Sequence, residues 1–87
     1  MRLVADWMTI ADDRILEFLS EEGPHPPSRM AKDSRMRFGA EYIGRRLREQ
    51  LVPHGLATNL GNGVYSISET GQDYLAGEVD AAELEAE

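Results

Sequence analysis

The stretch RMAKDSRMRFGAEYIGRRLREQLVPHG, residues 29–55, holds seven of the chain's nine basic residues. Its second half has helical periodicity. Ala40, Ile43, Leu47 and Leu51 fall at i, i+3, i+7 and i+11 and share one apolar stripe. Tyr42, Arg45, Arg46, Arg48 and Glu49 lie outside that stripe. The spacing predicts a helix from about residue 39 or 40 to 52. Pro53 is tolerable only at its last turn, because proline lacks an N–H and crowds the carbonyl four residues back. Gly55 suits the left-handed cap that follows. A short helix is expected before it, from about 28 to 32 or 33, with Met30 and Ala31 inward and Arg29 and Lys32 outward. Residues 33–39 form a charged turn between the two. The pair is a helix-turn-helix, in itself a common motif.

Upstream, Thr9-Ile10-Ala11-Asp12 fits a capping box with Asp12 in place of the usual Glu or Gln. Asp12 and Asp13 occupy the first turn, where the helix dipole favours negative charge, so capping accounts for both without a metal or acid–base role. Ile15, Leu16, Phe18 and Leu19 form a wide apolar stripe. This helix should end near Glu22, with Gly23 as its cap. The prolines of GPHPP, residues 23–27, make a rigid connector in which His25 is expected to be exposed.

Downstream, two short strands near 57–60 and 64–66 flank Gly61-Asn62-Gly63, which supplies the positive-φ residues a tight hairpin needs. Tyr65 and Ile67 share a face by the period-two rule and should meet the core. Ser68 is the expected N-cap of another helix, anchored by Tyr74 and Leu75 and ended by Gly77. Residues 78–87 are acidic and alanine-rich, either a short helix or a frayed tail. The chain thus reads as one domain spanning 1–87, with a core over 7–77 and an acidic tail over 78–87. Its fold class is α+β and mostly helical. Three helices, a two-stranded hairpin and a C-terminal helix give the winged-helix arrangement.

Net charge is −7, which at first argues against a nucleic-acid binder. The distribution reverses that. Residues 1–28 carry two bases and six acids, residues 29–48 seven bases and two acids, and residues 49–87 eight acids and no base. Positive charge is confined to the helix-turn-helix. Arginine outnumbers lysine eight to one, which together with the many acids suggests a halophile's surface. No apolar run resembles a signal peptide or approaches the ~20 residues of a membrane span, so a cytoplasmic protein is expected.

DNA binding needs cations on phosphates and a rigid helix presenting side chains to base edges. Arg29, Lys32, Arg35 and Arg37 are the candidates for clamping the backbone. Tyr42, Arg45 and Arg46, on the exposed side of the third helix, are the candidates for the major groove. Asn62 at the hairpin tip could reach the minor groove or a phosphate. The competing view is a solvated face with i,i+4 pairs, since Glu41–Arg45 and Arg45–Glu49 have that spacing. No enzymatic reading survives: there is no cysteine, the two histidines are isolated, and Gly61-Asn62-Gly63 lacks the strand-to-helix context of a phosphate loop. No cofactor, metal or small-molecule ligand is expected.

Four stretches, WMTIADDRILEFL, EYIGRRLREQLVPHGL, GNGVYSISETGQDYL and YLAGEVDAAEL, resemble the small haloarchaeal winged-helix proteins related to the phage phi-H repressor. The resemblance covers nearly the whole chain from Trp7 to about Leu84. It implies a winged-helix DNA-binding regulator in a salt-rich cytoplasm. Two departures stand out: Ile10 where members commonly have proline, and Pro53 near the end of the third helix. Residues and resemblance together lead to a sequence-specific regulator of double-stranded DNA, a repressor, and a homodimer paired through Leu3, Val4 and Trp7 or through the tail. The alternative is a winged helix whose basic stretch meets an acidic protein partner.

Overall fold

The computed structural model describes residues 1–87. Helix α1 (Ile10–Glu22) begins at Thr9, whose backbone N–H donates to the Asp12 carboxylate at 2.9 Å, the expected half of a capping box. It ends at Gly23, which adopts φ 82° and donates its N–H to the Leu19 carbonyl. The buried face of α1 carries Ala11, Ile15, Leu16, Phe18 and Leu19, and also Asp12.

The connector is not merely a spacer. His25 exchanges two backbone hydrogen bonds with Tyr65, each 3.1 Å, and its ring meets Phe18 edge-on. It is therefore half-buried rather than exposed, because the prolines on either side hold it extended, in reach of the hairpin edge. Helix α2 (Pro27–Met30) starts one residue earlier and is shorter than the sequence predicts. Pro27 takes the first helical position, where a missing N–H costs nothing. Residues 31–36 continue as turns rather than as helix, with Met30 and Met36 buried at either end.

Helix α3 (Ala40–Arg46) continues into a wider π-helical turn over Leu47–Leu51. The sequence predicts an uninterrupted α-helix here. Pro53 supplies the reason: its ring would crowd the Glu49 carbonyl in α-register and it has no N–H to donate. The backbone loosens instead, Val52 N–H reaching back five residues to the Leu47 carbonyl at 2.9 Å. The stripe of Ile43, Leu47 and Leu51 stays fully buried through the change.

Strands β1 (Ala57–Gly61) and β2 (Val64–Ile67) form the antiparallel hairpin, with a bulge between Asn59 and Gly61. Asn62 and Gly63 at its tip both have positive φ, as a tight two-residue turn demands. Tyr65 is buried and Ile67 packs against the core, as expected. Helix α4 (Glu69–Leu75) is capped by Ser68, whose hydroxyl accepts from Gly71 N–H at 3.0 Å. Gly71 is obligatory: a Cβ there would sit 2.2 Å from the Leu56 carbonyl oxygen, so α4 lies directly on the chain entering β1. The tail is docked rather than frayed. Asp80 pairs with Leu3 in a parallel bridge and caps a 3-10 turn (Ala81–Glu83), Ala81 is buried, and Leu84 packs on the core. No helix is long and apolar enough to cross a membrane.

Candidate nucleic-acid interface

α2, the turn and α3 bring the basic residues together, but the structure sorts them into two groups. Arg35 and Arg46 are engaged internally. Arg29, Lys32, Arg37 and Arg48 are exposed and have no carboxylate within 4 Å, and Arg45 has only Glu41 at 3.9 Å.

Arg46 departs most from expectation. The helical repeat puts it off the apolar stripe, and the sequence reading sends it into the DNA groove. Its side chain instead reaches back to the start of α1. Nε donates to Asp12 Oδ1 at 2.9 Å, and a terminal nitrogen donates both to Asp12 Oδ2 at 2.7 Å and to the Trp7 carbonyl at 3.0 Å. Asp12 is 0% exposed and the Arg46 side chain 16%. Donating these hydrogen bonds to the Asp12 carboxylate raises the Arg46 pKa. Arg46 is thus a buried clamp between α3 and α1. A buried carboxylate without its cation would be very costly, which is why the guanidinium turns inward.

Arg35 is also withdrawn from the expected phosphate clamp. It donates to both oxygens of Asp33 at 2.8 and 2.9 Å and to Glu21 at 2.6 Å, with Glu22 at 3.5 Å and the Phe18 ring beneath. Hydrogen bonds from the Arg35 side chain and backbone hold the Asp33 carboxyl down to about 2. All of these groups are near the surface, where such pairs add little stability, so the cluster restrains Arg35 without fixing it.

Arg29, Lys32, Arg37 and Arg45 are exposed, whereas Tyr42, expected on the exposed side of the third helix, is only partly so. Arg45 projects from the outer side of α3. Tyr42, beside it, is half-buried, its ring 5.7 Å from that of Phe38. Arg48 lies across Gly44, where a Cβ would be 2.9 Å from one of its terminal nitrogens. Gly44 also admits Pro27, which sets the close approach of α2 to α3. Asn62 is exposed at the wing tip, as expected.

At the far end of α3, His54 stacks on Trp7 with ring centroids 3.8 Å apart and planes within 9°. Its Nδ1 lies 2.8 Å from the Gln50 carbonyl. The indole N–H of Trp7 is buried without a partner, so ring contact alone secures the stack. Trp7 is half-buried and packs against the core. Asp13, expected only to complement the helix dipole, accepts a hydrogen bond from the Tyr74 hydroxyl and lies 4.0 Å from Arg2. Burial, reinforced by that carboxylate, pushes the Tyr74 phenol well above its ordinary range. Sequence did contain one signal for the clamp: Asp12, Ile15, Leu16 and Leu19 fall at i, i+3, i+4 and i+7, so Asp12 stands on the buried stripe and must find a cation.

No curated protein sequence matches the chain. The family model of the winged helix-turn-helix phage repressor matches residues 1–87. The crystal structure of the PhiH1 repressor-like protein from Haloarcula marismortui superposes with a TM-score of 0.92 at 42% identity, covering 100% of this chain and 98% of that one. With the α1–α2–α3 unit, the wing and α4 all in place, the chain belongs to the winged helix-turn-helix phage repressor family.

Proposed function

We propose that this protein is a sequence-specific repressor that binds double-stranded DNA with α3 in the major groove. Arg45 and Tyr42 face base edges. Arg29, Lys32 and Arg37 meet phosphates, joined by Arg48, and Asn62 on the wing meets the backbone or the minor groove. The observation that carries this is the sorting of charge: every base without a carboxylate within 4 Å lies on α2, the turn or the α3 segment. Arg35 joins them only by leaving its carboxylates, and Arg46 supports the face from behind. A homodimer belongs to the same proposal, since helix-turn-helix dimers address half-sites about one helical turn apart. Leu3 and Val4, both exposed, are its proposed contact. The proposed setting is a salt-rich cytoplasm.

The test is capture of genomic DNA fragments by the tagged protein at high salt, followed by sequencing, with Arg45→Ala as the control. Enrichment of a few sites sharing a motif is expected, lost in the variant while helical circular dichroism is unchanged. If Arg45 reads a guanine, its loss removes about 1–3 kcal/mol of discrimination at that position. Uniform background with a co-purifying acidic protein would replace the DNA reading by that of a protein-interaction module.

A further inference from the structure

The chain has two asparagines, Asn59 and Asn62, both exposed on the wing, and only Asn62 is followed by glycine. Their surroundings differ. The Asn59 carboxamide oxygen accepts the Gly61 N–H at 2.9 Å, within strand β1. The Asn62 carboxamide makes no hydrogen bond and the Gly63 N–H donates none, because the tip lies beyond the last ladder pair, Gly61 with Val64. A Cβ placed on Gly63 would meet nothing within 4 Å, so no other part of the molecule covers the tip.

An asparagine carboxamide is open to attack by the backbone nitrogen of the next residue, and a glycine there leaves that nitrogen unhindered. We propose that Asn62 is a site of spontaneous deamidation, which weakens the contact of the wing with DNA. The Gly63 nitrogen bonds to Asn62 Cγ, its proton passes to solvent, and the bond from Cγ to the side-chain nitrogen breaks, releasing ammonia. Water then opens the five-membered imide at either carbonyl, leaving aspartate or isoaspartate. The sum is carboxamide plus water giving carboxylate plus ammonium, with nothing oxidised or reduced. The positive φ of Asn62 (56°) and Gly63 (77°) belongs to the hairpin turn, so the tip must first swing open. No hydrogen bond from the Asn62 carboxamide or the Gly63 N–H has to break for that. The product sets a negative charge where the wing meets the phosphates of DNA, and isoaspartate also lengthens the backbone of the turn. Bound DNA covers the tip, so the change falls on the DNA-free protein. The loss of binding, though not the chemistry, rests on the proposed contact of the wing with DNA.

In the experiment, folded protein is kept for days in mildly alkaline buffer, beside a sample unfolded in guanidinium chloride, and peptides spanning both asparagines are sequenced by mass spectrometry. Asn62 should convert in both samples, while Asn59 keeps its amide in the folded one. Excess random-sequence duplex should slow the conversion. The aged protein should bind that duplex up to about fivefold more weakly at low salt, the worth of an exposed charge pair, and match fresh Asn62→Asp. Asn62→Gly, which suits the turn, should hold its affinity through the same ageing. An Asn62 that keeps its amide in the folded protein while it converts in guanidinium chloride would overturn the proposal, since the turn then protects it. Conversion that the duplex does not slow and that leaves affinity unchanged would instead overturn the contact of the wing with DNA, with the deamidation itself established.

Discussion

Replacing Arg46 with methionine removes the guanidinium while keeping most of its aliphatic packing. Asp12 then stays at 0% exposure with one remaining donor, the Thr9 N–H at 2.9 Å. Removing one partner of a buried ion pair costs about 3–5 kcal/mol, a large share of the roughly 4–13 kcal/mol available to a chain of this length. With a urea m-value of about 1–1.5 kcal/mol/M for so small a domain, a loss of 3 kcal/mol lowers the unfolding midpoint by about 2–3 M. Asp12→Ala should cost less, because the Arg46 side chain is already 16% exposed and can swing to water. The double variant should lose less than the sum of the singles, with a coupling of about 0.5–3 kcal/mol. The assay is urea unfolding followed by circular dichroism, with random-sequence duplex binding measured on the fraction still folded. An Arg46→Met variant with a wild-type midpoint and weakened DNA binding would refute the clamp and return Arg46 to the DNA face.

Two glycines make an opposed pair. Gly71→Ala drives a Cβ to 2.2 Å from the Leu56 carbonyl and should destabilise by roughly 1–3 kcal/mol, since backbone has to shift. Gly44→Ala meets only the mobile end of Arg48 and ordinary contact with Pro27, so helix propensity should win by up to about 1 kcal/mol; thermal unfolding reads both signs. Tyr74→Phe removes the donor to Asp13 and should cost about 1–3 kcal/mol at pH 8. Because folding raises the Tyr74 pKa above 10.0, the stability it provides is complete below about pH 10 and is lost as pH rises toward the folded value. The urea midpoints of wild type and variant should therefore converge above pH 10, and a constant gap would contradict the assignment.

The features legible in the sequence were those fixed by local chemistry. The limits of α1 followed from Thr9, Asp12 and Gly23, and the wing followed from Asn62-Gly63, because caps and tight turns depend on the φ preferences and donors of a few adjacent residues. The burial of Ile43, Leu47 and Leu51 followed from their period. What escaped depended on partners distant in sequence. The pairing of His25 with Tyr65 spans 40 residues, and neither residue's neighbours announce it. The stack of His54 on Trp7 and the docking of Asp80 beside Leu3 are of the same kind. The π-turn lies between these cases. Pro53 was visible as a disturbance, but a helix can answer a proline by ending, kinking or widening, and packing of Leu47 and Leu51 chose the last.

For the candidate site, helical periodicity alone was insufficient because an arginine side chain is long enough to serve either side of a helix. What decides is where the carboxylates stand. The acids of α1 run along its length and several hold their own base or donor: Asp12 holds Arg46, Asp13 the Tyr74 hydroxyl, Glu17 Arg2, and Glu21 with Glu22 holds Arg35. α1 thus subtracts specific cations from the helix-turn-helix beside it. Arg29, Arg37 and Arg48 have no carboxylate within 4 Å and Arg45 has only Glu41 at 3.9 Å, so these are the arginines available to the proposed DNA contact. An acidic chain of net charge −7 can in this way keep a localised cationic face. The same logic bears on salt. Pairs at the surface such as Arg35–Glu21 weaken as ionic strength rises, while the buried Arg46–Asp12 pair is screened much less. High salt should therefore loosen Arg35 from its carboxylates and leave the α1–α3 clamp intact, so the scaffold of the proposed DNA face outlasts the surface pairs around it.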